Sequence, residues 1–197
     1  EPRDALAALG RYNALMERVV RDNHGVFHPL TATAFVAVFG LRAGDHERND
    51  AHDACRCGLQ MLSALDQLNT WQRRHGSRPL RCSIGIHTGM VVLGEMQARD
   101  RATVAVVGTP VRAAMTLHGL ADAAMRPLLI SATTAGELAG ELDTRKCENL
   151  AVDADGDRLE VYELDAIPPH VDYRELLDEL FPKEPPLEDE DTIEAAE

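Results

Sequence analysis

Helix-period and strand-period segments alternate along this chain, and that alternation limits its fold more than any other feature. Residues 4–23, DALAALGRYNALMERVVRDN, place apolar side chains at Leu6, Leu9, Leu15, Met16, Val19 and Val20, a helical stripe. Val26 and Phe27, then Phe35, Val36, Val38 and Phe39, have strand character, so residues 26–40 read as a hairpin with its tip at Thr31-Ala32-Thr33-Ala34. A long helix opens at Asp50 and closes at Gly76, its apolar face made of Leu59, Leu62, Leu65, Leu68 and Trp71. LRCSIGIHTGMVVLGE reads as two strands joined by His87-Thr88-Gly89, and TVAVVG (103–108) as another. A helix follows over 110–125 with Pro110 in its first turn, then the strand LLIS, the short helix TTAGELAGEL, and a hairpin over 150–164 turned by Asp155-Gly156. Helices interspersed with strands in this order predict an α/β or α+β domain, a mixed sheet with helices packed on it.

A chain of 197 residues is long enough for one domain with an appendage. Ten of its thirteen net negative charges fall in residues 165–197, which hold 12 acidic and 2 basic side chains, so residues 1–164 carry only −3. No basic stripe is present, and nucleic acid is not an expected partner. The organisation expected is a domain over 1–166, an amphipathic helix within 167–181 (VDYRELLDELF) and an acidic, disordered tail over 182–197. Leu176, Leu177, Leu180 and Phe181 are that helix's apolar residues, available to dock on the domain or on a partner.

Cys55, Cys57, Cys82 and Cys147 are expected to be free thiols of a reducing compartment; the CRC spacing is too tight for a usual zinc knuckle. No signal peptide and no apolar run of about 18 residues is present, so no segment is expected to enter a membrane. The start at Glu1 without methionine suggests a fragment, with a membrane anchor or sensor upstream. Acidic residues in DHERNDAHD (45–53) suit the start of a helix better than a metal cluster, and Gly25 and Pro29 keep His24 and His28 from aligning as a helical ligand pair.

Several short motifs stand in one order: LGRYNALMERVVRDNHG, AVFG (37–40), NDA (49–51), IGIHTG (84–89), VVLG (91–94), VVG (106–108) and VYEL (161–164). Together they resemble the class III adenylate/guanylate cyclase catalytic domain over residues 1–164. The resemblance implies a ferredoxin-like core and head-to-tail dimers with active sites between protomers. It implies attack of a ribose 3′-oxygen on the α-phosphate of a nucleoside triphosphate, aided by two divalent ions held by two aspartates. It also implies a strand ahead of the first helix, bearing the first metal aspartate; that strand is absent from the sequence.

At the positions the resemblance assigns to chemistry, this chain has other residues. The second metal aspartate falls on Thr33, between Ala32 and Ala34, and the purine-contacting lysine on Pro29. The base-selecting position falls on Ala105, the aspartate after the VVG glycine on Thr109, the ribose-orienting asparagine on Arg112, the transition-state arginine on Thr116, and the triphosphate lysine on Asp155. A threonine hydroxyl is a weak magnesium ligand, and Asp155 reverses the sign needed beside a triphosphate. No catalytic, cofactor-binding or metal-binding residue is therefore assigned, and an emptied pocket lined by Ala32, Ala34 and Ala105 is expected to close up.

The reading this supports is a catalytically inactive cyclase homology domain, a cytoplasmic dimerisation or regulatory module in signal transduction. Its partner would be a second copy or a related signalling protein, and the segment would be the cytosolic part of a larger or membrane-anchored chain. Two other readings stay open: an active adenylate or guanylate cyclase using Mg2+ or Mn2+, and a nucleotide sensor without turnover, with Arg112 as an anion contact near a helix N-terminus.

Overall fold

The computed structural model describes residues 2–41, 49–98, 101–138, 140–154, 157–164 and 171–181. The elements run α1 (Pro2–Asp22), β1 (Val26–Pro29), β2 (Phe35–Val38), α2 (Asp50–Arg74), β3 (Ile84–Ile86), β4 (Val92–Ala98), β5 (Arg101–Val107), α3 (Thr109–Ala123), β6 (Leu128–Ser131), α4 (Ala132–Glu137), β7 (Thr144–Ala154), β8 (Asp157–Leu164) and α5 (Arg174–Leu180). This is the α+β order read from the sequence, and α1 is the first described element.

The strands form three groups: β1-β2, β3-β6-β8-β7, and β4-β5. Strand β3 lies parallel to β6, and β6 and β7 each lie antiparallel to β8. The segment expected as two strands joined through His87-Thr88-Gly89 forms two strands, but they do not pair with each other: β3 pairs with β6 while β4 pairs with β5. β7 also begins earlier than the sequence indicated, and a register irregularity between Lys146 and Ala151 interrupts its pairing.

All four residues of β6 are buried. A strand covered on both faces by helices reads as an unbroken apolar run, and the alternation of its side chains sorts the core. Leu128 and Ile130 join Ala51 and Cys55 of α2, with Leu138, on one face. Leu129 joins Leu117 and Ala121 of α3, and Val161 of β8, on the other. Two glycines make the close approaches possible. A methyl group on Gly58 of α2 would fall 2.6 Å from Leu128 Cδ1, and one on Gly85 of β3 would fall 2.3 Å from the Ala114 carbonyl oxygen of α3.

A further cluster joins α1 to α2 through Leu15, Met16, Val19, Val20, Met61, Ala64, Leu65 and Leu68. The α1 stripe is only partly buried: Leu6 is 70% exposed, whereas Ala8 and Tyr12, further along the same face, are buried. Helix α2 starts as its sequence directs. Asn49 caps it, accepting from the His52 amide at 3.0 Å, and the Asn49 side-chain amide donates to the Glu137 carbonyl at 2.7 Å, tying α2 to α4. At its other end Gly76 adopts φ +72°, the left-handed conformation that stops a helix.

Helix α5 docks on the domain, one of the two expectations for it. Leu177 is buried beside Tyr173 in the α1/α2 cluster, with Leu176 and Phe181 packed against it. The Gln67 side chain fixes the approach, donating to the Val171 carbonyl at 2.7 Å and accepting from the Tyr173 amide at 2.8 Å. Residues 182–197, read as a tail, and the Asp155-Gly156 turn lie outside the described residues.

Two substitutions test this packing. Leu177→Ala should lower unfolding stability by about 2–4 kcal/mol in denaturant titration, the range for emptying a buried leucine site. Gly85→Ala should cost more, because backbone atoms of α3 occupy the space its methyl group needs.

Candidate functional site

The tip of the β1-β2 hairpin has neither a glycine nor a carboxylate, and its hydrogen bonds explain why it needs neither. Thr31 Oγ1 accepts from the Thr33 amide at 3.2 Å, and the amides of Leu30 and Thr31 both donate to the Ala34 carbonyl at 2.9 Å. A hydroxyl turn of this kind uses the threonine in place of Asn or Asp. None of residues 31–34 has positive φ. The Asn13 side chain of α1 donates to the Ala32 carbonyl at 3.0 Å and anchors the tip. Thr33 is exposed, its hydroxyl 3.4 Å from that of Thr31.

The other marked positions are dispersed. Ala105 is half-buried and sits opposite Gly94 in the β4-β5 ribbon. Thr109 and Arg112 are exposed in the first turn of α3, whose N-cap Gly108 offers no side-chain cap. The Thr116 hydroxyl donates to the Arg112 carbonyl at 2.9 Å, a bond within its own helix. Asp155 lies outside the described residues, as do residues 45–48 of the acidic run at 45–53. Among the described residues, no group of three His, Cys, Asp or Glu side chains is placed to hold a metal ion.

Below the hairpin tip opens a cavity of about 290 Å³. Thr33 and Ala34 line it; Ala32 and Ala105 do not. It is thus not the pocket expected between Ala32, Ala34 and Ala105; its space lies between β2, β3, α2 and α3. Its walls are mainly apolar. Asp50 contributes a carboxylate and His87 and His118 contribute imidazoles, and among the described residues no lysine or arginine lines it.

The turn after β3 is secured by polar contacts. His87 Nδ1 lies 2.8 Å from Ser131 Oγ, which lies 3.1 Å from Thr134 Oγ1, and Thr88 Oγ1 donates to Thr134 Oγ1 at 3.1 Å. Partial burial pushes the His87 pKa below its ordinary value of 6.5. At the opposite end of the cavity, burial holds the Cys82 thiol and the Tyr12 hydroxyl, which are hydrogen-bonded to each other, above their ordinary ranges. Cys55 and Cys57 are likewise pushed up to about 12 by burial. All four cysteines are free thiols. Sequence reasoning assigned Asp50 only to a helix start and passed over Tyr12. The available signal for Tyr12 was its spacing of four from both Ala8 and Met16 on the α1 stripe.

Apolar side chains also stand out in solvent where the β4-β5 ribbon meets α3. Met90 is 91% exposed, Val92 67% and Val107 63%, and Val92 and Val107 sit directly across from each other in the ribbon.

This arrangement of sheet, helices and ribbon is that of the nucleotidyl cyclases. The sequence profile described as the adenylate and guanylate cyclase catalytic domain matches residues 1–165, and the chain belongs to that family. A relative, adenylate cyclase 1 of Rhizobium meliloti (strain 1021), is 30% identical over 119 residues, 60% of this chain and 18% of the relative. Among solved structures, the guanylyl cyclase Cya2 matches with TM-score 0.68 at 24% identity, over 83% of this chain and 81% of that one. The adenylyl cyclase CyaB from P. aeruginosa matches with TM-score 0.70 at 21% identity, over 81% of each chain. These two likenesses show the fold.

The lowered His87 pKa sets a sign for pH dependence. The unfolded chain binds this proton more tightly than the folded one, so the stability tied to neutral His87 is fully present above 6.5. It is lost progressively as pH falls from there towards the depressed folded value. Melting temperatures measured against pH should therefore fall more steeply on acidification for the unsubstituted protein than for His87→Gln.

Proposed function

We propose that this domain is a non-catalytic member of its family, acting as a dimerisation or regulatory module in intracellular signalling rather than making a cyclic nucleotide. The observation that carries this reading is the chemistry around Thr33. A divalent ion at a phosphoryl-transfer centre needs carboxylate oxygens. The residue at the second metal position is an exposed threonine already bonded within its own turn, so this donor set does not fit a catalytic Mg2+ or Mn2+.

The remaining positions support the same reading. Ala105 has no side-chain polar atom to select a base. The Thr116 hydroxyl is spent on its own helix backbone, and a hydroxyl is no substitute for a guanidinium beside a developing negative charge. The exposed Met90, Val92 and Val107 favour an association surface, since contiguous apolar side chains in solvent mark places where proteins meet. The proposed partner is a second copy or a related signalling protein, and the proposed location is the cytoplasm. No helix among the described residues is long and apolar enough to cross a membrane.

Direct product measurement tests the loss of catalysis. Incubated with ATP or GTP and either Mg2+ or Mn2+, the protein should form no cyclic nucleotide above a protein-free blank. Thr33→Asp alone should leave that unchanged, because residues that act as a unit are not restored one at a time. Product that disappears on substitution of a residue in this chain would overturn the reading.

A further inference from the structure

The end of helix α2 carries cations that no described carboxylate meets. From Gln67 to Gly94 the sequence has four arginines, Arg73, Arg74, Arg78 and Arg81, and no acidic residue. Arg73 and Arg74 stand in the last turn of α2, where basic side chains suit the helix dipole. Arg78 follows in the loop, beyond the reach of that explanation. The loop folds back on its own helix, because Gly76 reverses the chain and Asn69 clamps Leu80. The Asn69 amide donates to the Leu80 carbonyl at 2.9 Å, and its oxygen accepts from the Leu80 amide at 2.7 Å. The Ser77 amide also donates to the Gln72 carbonyl at 2.9 Å. Arg73, Arg74 and Arg78 are thereby held, exposed, around one end of α2.

A further arginine arrives from α1. The Arg11 guanidinium lies 5.3 Å from the centre of the Trp71 ring, the attraction of a cation for an aromatic face. Its Nε is buried without a hydrogen-bond partner, whereas buried donors are normally paired. Among the described residues, Arg11, Arg73, Arg74 and Arg78 form no ion pair; Arg73 donates to a neutral group, the Thr70 hydroxyl, at 2.9 Å. By contrast Arg18 meets Asp22, Arg126 and Arg145 share Glu163, and Arg174 meets Asp172.

The acidic tail leaves the domain at the same place. Phe181 ends α5, and its ring centre lies 5.8 Å from that of Trp71, which stacks on His75 at 4.0 Å. Residues 182–197 hold seven acidic side chains against one lysine, and four of the acids are consecutive at Glu188–Asp191. Seven extended residues reach roughly 24 Å, which brings that run within range of the last turn of α2 and the loop after it. We propose that the acidic tail, residues 182–197, docks on the arginine surface at the end of α2, with the run Glu188–Asp191 against Arg73, Arg74 and Arg78. A guanidinium meets a carboxylate through paired hydrogen bonds. One exposed ion pair contributes little, but several form together here, and the tether holds the tail at an effective concentration in the millimolar range. The docked tail competes with any outside polyanion for this surface. The inference is independent of whether the domain turns over nucleotide.

Heteronuclear NMR of the 197-residue protein, read at the arginine Nε–H groups, tests it. The comparison is a full-length variant with a neutralised tail: Glu184→Gln, Glu188→Gln, Asp189→Asn, Glu190→Gln, Asp191→Asn and Glu194→Gln. The Arg73, Arg74 and Arg78 resonances of the two proteins should differ at about 20 mM salt and converge at about 0.5 M, where exposed charges are screened. A hexaglutamate peptide should bind the neutralised variant about tenfold or more tightly than the parent, because the tail competes for the same surface. Adding Arg73→Gln, Arg74→Gln and Arg78→Gln to both proteins should erase that difference. Arginine resonances that coincide at low salt would overturn the proposal, as would a difference in hexaglutamate affinity that survives the arginine substitutions and so reports net charge alone. Equal hexaglutamate binding to both proteins at these arginines would overturn it too, and would assign the surface to an outside acidic partner.

Discussion

Strand β3 is held between two helices, and a glycine mediates each contact. On one face Ile84 and Ile86 reach Gly58 of α2; on the other, Gly85 lies against the backbone of α3 at Ala114 and His118. No side chain fits at Gly85 because its neighbours are main-chain atoms, which cannot rotate away. That contact fixes where α3 crosses the sheet, and with it the positions of Gly108, Arg112 and Thr116. It also fixes the turn at His87-Thr88, which the Ser131 and Thr134 hydroxyls then tie to the end of β6. The placement of these residues is thus set by packing rather than by their own side-chain chemistry.

The residues on which the proposed reading rests have a physical consistency. The hairpin tip is a self-satisfied hydroxyl turn anchored by Asn13. The Thr116 hydroxyl bonds to its own helix backbone. Each marked group that the structure describes is satisfied locally or open to solvent, and none is a buried charge awaiting a ligand.

Much of the fold was legible because its signals are local. The helical stripes of α1 and α2, Pro110 at the start of α3, and the unbroken apolar run of LLIS each report a single element and its burial. Less legible were features set by pairing between distant segments. IGI and VVLG stand a few residues apart in sequence, yet they belong to different sheets, which their local pattern does not reveal. Leu6 fits the α1 stripe by spacing but extends past the end of the surface that α2 covers, and remains exposed. At the site, residue identities were readable while their geometry was not. Ala32, Ala34 and Ala105 were read as lining one pocket, but of the three only Ala34 lines the cavity, Ala32 being an exposed turn residue and Ala105 part of the ribbon. Asp50 reads as a helix-start residue, and only the fold brings it to a cavity wall.

The proposed role is association, and its surface is named by the exposed side chains of the ribbon. Val92 and Val107 face each other across the β4-β5 ribbon with Met90 beside them, all in solvent. Sedimentation equilibrium over roughly 1–100 µM, the range in which a modest interface populates its dimer, tests this most directly when run alongside a Val92→Glu/Val107→Glu variant. The account predicts a concentration-dependent dimer for the unsubstituted protein and a folded monomer for the variant. A strict monomer across the whole range, or a dimer that the paired glutamates leave intact, would contradict it.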